Sequence, residues 1–159
     1  MAAAAFERRV LRRAAEHHYL RVRLELPDGG ARPNAAQFKQ LVVTALRELH
    51  GEVGAALPVD VLTYEEKTLS AILRVISSGL VKLWSALTLL GFYQNRRCAF
   101  RVLQEIRFPA PLYVGEEVTA AAEVKRLKGS VAHISVSCQV RERGKTVMEG
   151  MVKVMVPES

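Results

Sequence analysis

Cysteine is scarce in this chain of 159 residues: Cys98 and Cys138 are the two it has, and they stand far apart. That makes neither a disulfide framework nor a metal-binding spacing, so a reducing compartment is expected. Long hydrophobic runs are lacking as well. The longest apolar stretch, Gly79 to Phe92, is interrupted by Lys82 and falls short of the roughly 20 residues a membrane-spanning helix needs. Met1 to Ala5 offers no charged segment leading into a long apolar core, so no secretory signal is expected. Catalytic signatures are also missing: there is no phosphate-binding glycine loop, no nucleophile elbow and no zinc-protease helix. The four histidines are scattered, and the adjacent pair His17 and His18 would point to opposite sides of a strand. No catalytic residue, no metal ligand and no cofactor is therefore expected, and neither a membrane nor a small-molecule substrate.

Apolar residues make up 50% and charged residues 25%, enough for one ordinary core with room for a small second unit. The formal net charge is +7, and it is unevenly placed. Residues 1–104 hold 15 Lys+Arg against 9 Asp+Glu, whereas residues 105–159 hold 8 against 7. The basic character belongs to the first two-thirds. It supports attraction to phosphates or another anionic surface without choosing between them.

The first 18 residues form an arginine-rich arm with Arg8, Arg9, Arg12 and Arg13 close together. Three readings stay open for it: a solvated helical arm, a transit peptide weakened by Glu7 and Glu16, or a basic arm that orders on RNA. Tyr19 to Leu26 alternates strictly, with Leu20, Val22, Leu24 and Leu26 on one face and Tyr19, Arg21, Arg23 and Glu25 on the other, the period of a half-buried strand. After the Pro27-Asp28-Gly29-Gly30 turn, Asn34 and Gln37 have capping-box spacing. Phe38, Leu41, Val42, Ala45, Leu46 and Leu49 then follow at helical intervals, and Gly51 ends the run. Asp60 to Tyr64 and Ser70 to Ile76 read as two strands around a turn at 65–68. Ser77 or Ser78 is expected to cap a second helix reaching about Leu90, with Trp84 as a core anchor on its apolar stripe. Cys98 to Leu103 alternates again, placing Cys98, Phe100 and Val102 inward.

Strand, helix, strand, strand, helix, strand predicts an α+β fold: a ferredoxin-like βαββαβ sandwich complete by Gln104. Beyond it, Phe108-Pro109-Ala110-Pro111 cannot continue a central strand. Three strand-like runs follow, from about Glu117, Val131 and Thr146, separated by two plausible hairpin turns. They predict a C-terminal three-stranded β-meander. The domains are therefore expected at 1–18, 19–104 and 105–159.

Parity identifies one constellation. The sheet face without helices should carry Arg21 and Arg23 from the first strand, Arg74 from the third and Arg101 from the fourth, with Arg96 and Arg97 extending the basic edge from a loop. Like charges on neighbouring strands oppose one another, so either an anionic partner or solvation with Glu25 as compensation accounts for them. Stacking aromatics are not expected on the first and third strands, where Arg21, Arg23, Ile72 and Arg74 stand. Phosphate contacts, or an acidic protein surface, fit better than the reading of unstacked bases.

Four stretches carry a resemblance: Asn34 to Leu41, Leu57 to Arg74, Ser77 to Gly91 and Cys98 to Val102. Together they closely resemble the fourteen-kilodalton protein-subunit family of vertebrate ribonuclease P, over residues 19–104. The resemblance implies a non-catalytic subunit of a nuclear, nucleolar ribonucleoprotein whose RNA removes the 5′ leader of precursor tRNA. It implies ribonuclease P RNA and the other protein subunits as partners, with ribonuclease MRP as a second assembly. Glu105 to Glu116 and Val147 to Pro157 look instead like the closing strands of a mitochondrial hot-dog-fold hydroxyacyl-thioester dehydratase. Only that family's last strands are represented and its catalytic segment is not, so the alternative is a dehydratase-related fragment without its catalytic motif. The change near Gln104 implies a joined product.

Overall fold

The computed structural model describes residues 16–157, so the arm expected at 1–18 lies almost entirely outside the described residues. In chain order the elements are β1 (His17–Glu25), α1 (Ala35–Ala55), β2 (Val59–Glu65), β3 (Ser70–Ile76) and α2 (Leu80–Leu89). A small hairpin of β4 (Phe92–Tyr93) and β5 (Arg96–Arg97) follows, then β6 (Ala99–Arg107), β7 (Val118–Lys128), β8 (Val131–Val140) and β9 (Lys145–Met155). Seven strands form one antiparallel sheet in the order β2-β3-β1-β6-β9-β8-β7.

Alternation builds β1. Leu20, Val22 and Leu24 are buried against the helices while Arg21 and Arg23 are exposed. α1 begins where the capping box places it: the Asn34 side chain accepts from the Gln37 N–H and the Gln37 side chain accepts from the Asn34 N–H, each at 2.9 Å. Phe38, Leu41, Val42, Ala45 and Leu46 then line its buried stripe. Gly51 breaks the helix with φ 69°, a left-handed conformation glycine adopts without steric cost, but one more turn follows to Ala55. α2 starts differently from expectation. Ser77–Gly79 forms a 3-10 turn, and neither serine caps the helix. The Ser77 hydroxyl instead donates to the Glu16 carbonyl at 2.9 Å, tying the helix start to the beginning of β1. Gly79 is buried because Leu57 packs where a Cβ would stand.

One core serves the first unit. Leu20, Leu24, Phe38, Leu46, Leu73, Leu83 and Leu87 are all fully buried between the helices and β1, β3 and β6. Phe38 sits edge-on to Phe100 at 5.7 Å and against Tyr64 at 4.5 Å. Cys98 is buried, and desolvation pushes its thiol above the ordinary range, as befits a small hydrophobe. Trp84 packs against this core but remains half-buried, at the margin where α2 faces the later strands.

β6 departs from the expected strand. It starts one residue later, at Ala99, and continues past Leu103 to Arg107. The extension is possible because a bulge intervenes: Arg21 pairs with Gln104 but Val22 pairs with Val102, leaving Leu103 unpaired. That extra residue resets the parity, so Gln104 and Ile106 share the face of Arg21 and Tyr19. The same extension receives β9, with Gln104 opposite Val152 and Arg107 opposite Glu149. Gly150 permits this seam, because a Cβ there would strike the Glu105 carbonyl and crowd Ile106. The last three strands therefore continue the sheet of the first unit instead of lying apart from it. β7, at the far edge, is exposed along all of its length.

Candidate nucleic-acid interface

The helices cover one side of β2, β3, β1 and β6, and the arginines rise from the other. β1 contributes Arg21 and Arg23, both exposed; β3 contributes Arg74; β6 contributes Arg101. Arg23 and Arg101 are directly opposed across the β1–β6 ladder. Glu25 relieves that repulsion, accepting from Arg101 at 3.2 Å and from Arg23 at 3.4 Å. Arg74 is committed more strongly. Asp60 stands opposite it on β2 and accepts two bonds from its guanidinium, at 2.8 and 3.0 Å. Hydrogen bonding to Arg74 holds the Asp60 carboxyl below the usual range, and the same contact raises Arg74 above its own.

The remaining pair sits in a hairpin where a loop is expected. Gln94 and Asn95 both have positive φ, 49° and 61°, which turns the chain tightly between β4 and β5. Arg96 folds back from it: its guanidinium donates to the Ala31 carbonyl at 2.7 Å, reaches Asp28 at 3.5 Å and lies 5.7 Å from the Tyr93 ring centre. It packs so closely on Gly30 that a Cβ at that position would require the guanidinium to shift. Arg96 thus fastens the β1–α1 loop to the hairpin, while Arg97 projects outward. The sheet face carries Arg21, Arg23, Arg74 and Arg101; Arg96 and Arg97 stand beside it on the hairpin.

Aromatic residues also belong to this face. β1 begins at His17, which places Tyr19 inside the strand, and Phe108 comes over it from the end of β6. Their rings meet edge to face, 5.4 Å apart and inclined at 79°. Tyr19 lies opposite Arg74 on one side and Ile106 on the other. The strict alternation from Tyr19 to Leu26 contained the signal for Tyr19, but only the bulge at Leu103 and the path after Arg107 bring Phe108 to it.

On the helix side of the later strands the polar groups pair with one another. His18 contacts Glu105, and Arg107 bridges Glu16, at 3.2 Å, and Glu149. His18, Glu105, Arg107 and Glu149, together with Leu80, Trp84 and Met151, line an open groove between α2 and β6, β9 and β8. His50 spans the two helices, its Nε2 placed 3.1 Å from the Lys82 carbonyl and 3.3 Å from the Ser85 hydroxyl. Among the described residues no group of three His, Cys, Asp or Glu side chains is placed to hold a metal ion, and no helix is long and apolar enough to cross a membrane.

Comparison with known proteins places the first unit. The family model described as Rpp14/Pop5 matches residues 18–105. Ribonuclease P protein subunit p14 of Mus musculus is 65% identical over 104 residues, covering 65% of this chain and 85% of the relative. Its counterpart in Homo sapiens is 64% identical over 102 residues, covering 64% of this chain and 82% of the relative. A chain in the cryo-EM structure of yeast ribonuclease MRP superposes with a TM-score of 0.54 at 16% identity, covering 65% of this chain and 82% of that one, a likeness of fold.

Proposed function

Because this chain belongs to the Rpp14/Pop5 family, we propose that it is a non-catalytic protein subunit of ribonuclease P, and of ribonuclease MRP as a second assembly. Its role is to support removal of the 5′ leader from precursor tRNA by holding RNA and neighbouring subunits, in the nucleus and nucleolus. The observation that carries this reading is the identity of 64–65% to ribonuclease P subunit p14 over 82–85% of the length of those relatives. Residues 19–104 act as a ferredoxin-like unit, a reading supported by the order β2-β3-β1-β6 with both helices on one face. Residues 105–159 are a hot-dog-like fragment that brings no catalytic motif.

Within that unit Arg21, Arg23 and Arg101 contact RNA phosphates, with Arg74 and Arg97 at the margins and Arg96 positioning the hairpin. Their placement on a face uncovered by helices supports this, as does the basic balance of residues 1–104. Affinity capture of the tagged full chain tests the assignment. Recovery of ribonuclease P RNA together with its other protein subunits is expected, and recovery of neither sinks it. For the arginines, replacing Arg21 and Arg101 with alanine should weaken RNA association and lower the salt slope by about one for each lost phosphate contact. An unchanged slope with lost capture of a protein subunit would transfer the face to protein contacts.

A further inference from the structure

Phe108 lies beyond the family match at 18–105, yet it completes a feature on the family's open face. It is an aromatic side chain left 53% exposed although it already touches Tyr19. An exposed phenylalanine alone signifies little. Here the ring is held edge to face by Tyr19, which fixes its orientation, and cations stand beside the pair. Arg74 is opposite Tyr19 in the ladder. Arg21 and Arg23 follow Tyr19 on the same face of β1, at about 7 and 14 Å along the strand. A ring with open surface next to a line of cations matches a nucleotide with its base stripped from the helical stack, because every base offers a π face and every link carries a phosphate. A double helix offers neither ring access nor a free base.

We propose that Tyr19 and Phe108 seat one unpaired base of a single-stranded RNA segment whose phosphates run along Arg21 and Arg23. This inference rests on the reading of the face as an RNA contact and gives it a preference for single strands. Tyr19 lies within the family match at 18–105 and Phe108 lies three residues past its end, so the pair spans the boundary of that match. Tyr19 by itself would offer a ring flanked by Arg74 and Ile106. Phe108 adds the second, outward ring.

The test is direct binding of the full chain to a labelled single-stranded oligoadenylate and to a labelled blunt-ended RNA duplex, over a series of salt concentrations. Phe108→Leu keeps an apolar side chain of similar bulk and removes the ring; Phe108→Trp keeps a ring. For the single strand, Phe108→Leu should weaken binding by about 5- to 100-fold with no change in salt slope, since stacking releases no counterions. Phe108→Trp should retain the parent affinity, and neither change should alter duplex binding. Arg21→Ala should also weaken single-strand binding but, unlike Phe108→Leu, should reduce the salt slope. If Arg21→Ala acts but Phe108→Leu leaves single-strand binding unchanged, the seat is overturned while the RNA face stands. A parent chain that binds neither probe overturns both.

Discussion

At Arg74, which stands opposite Tyr19 in the β1 ladder, the guanidinium donates twice to Asp60 on β2, so its charge is already partly engaged. Asp60→Asn should release it, strengthening RNA association and raising the salt slope by about one, as read from binding at several ionic strengths. The pair also makes a prediction about acid. Asp60 is depressed in the folded chain, chiefly by hydrogen bonding to Arg74, so the unfolded chain takes up its proton first as pH falls. The pairing therefore stabilises the fold above the ordinary carboxylate range and loses its contribution as pH drops through the lowered value. Thermal denaturation across that window should show the parent losing stability more steeply than Asp60→Asn, and equal slopes would contradict the assignment. Both groups are well solvated, which keeps the effect small. Leu73 represents the opposite case, fully buried between the sheet and the helices. Leu73→Ala should cost about 2–5 kcal/mol by denaturant titration, since the cavity cannot fill from either layer.

Among the elements, β6 decides how the two parts of the chain meet. It ends the first unit and, through its bulge at Leu103, also presents the ladder that accepts β9. The contact is short, from Gln104 to Arg107, and depends on the close approach at Gly150. Gly150→Ala should therefore destabilise the seam by about 1–3 kcal/mol, because a Cβ there meets backbone that cannot rotate away. Hydrogen exchange would locate the effect: amides of β8 and β9 should lose protection while β1 and β3 keep theirs, and uniform loss would mean that the whole sheet unfolds as one. Most of these elements were readable beforehand. Strict alternation identified β1 and β3, capping chemistry started α1, and helical spacing named the buried stripe through Leu46. The start of α2 was not, because serine caps and 3-10 turns share the same residues and the Glu16 carbonyl competed for Ser77. Nor was the length of β6, since a bulge interrupts the very period by which strands are recognised.

The whole molecule has an uneven distribution of burial. The larger core comprises twenty buried residues between Leu20 and Val102, whereas Ala110, Val140 and Val147 form the small one beyond. Removing everything after Phe108 should accordingly leave a unit that still unfolds cooperatively, measured by denaturation followed through Trp84 fluorescence. Loss of cooperativity would show that the first unit needs the later strands. In limited proteolysis of the intact chain, β7 should be cut before β1 or β3, because it is an edge strand exposed throughout. A peptide spanning Val102 to Pro111, detected from cells, would establish that the stretch carrying Phe108 follows the first unit in the expressed protein. Local sequence determined most of the secondary structure, the inward faces of β1, β3 and α1, the basic balance of residues 1–104 and the kinship of that part. Only the tertiary structure decided that β9 pairs with β6, that Asp60 occupies Arg74, that Arg96 fastens a loop and that Phe108 lies against Tyr19. Each of those contacts joins residues distant in the chain, and for β9 and Phe108 a one-residue bulge in β6, invisible to periodicity, sets which face they meet.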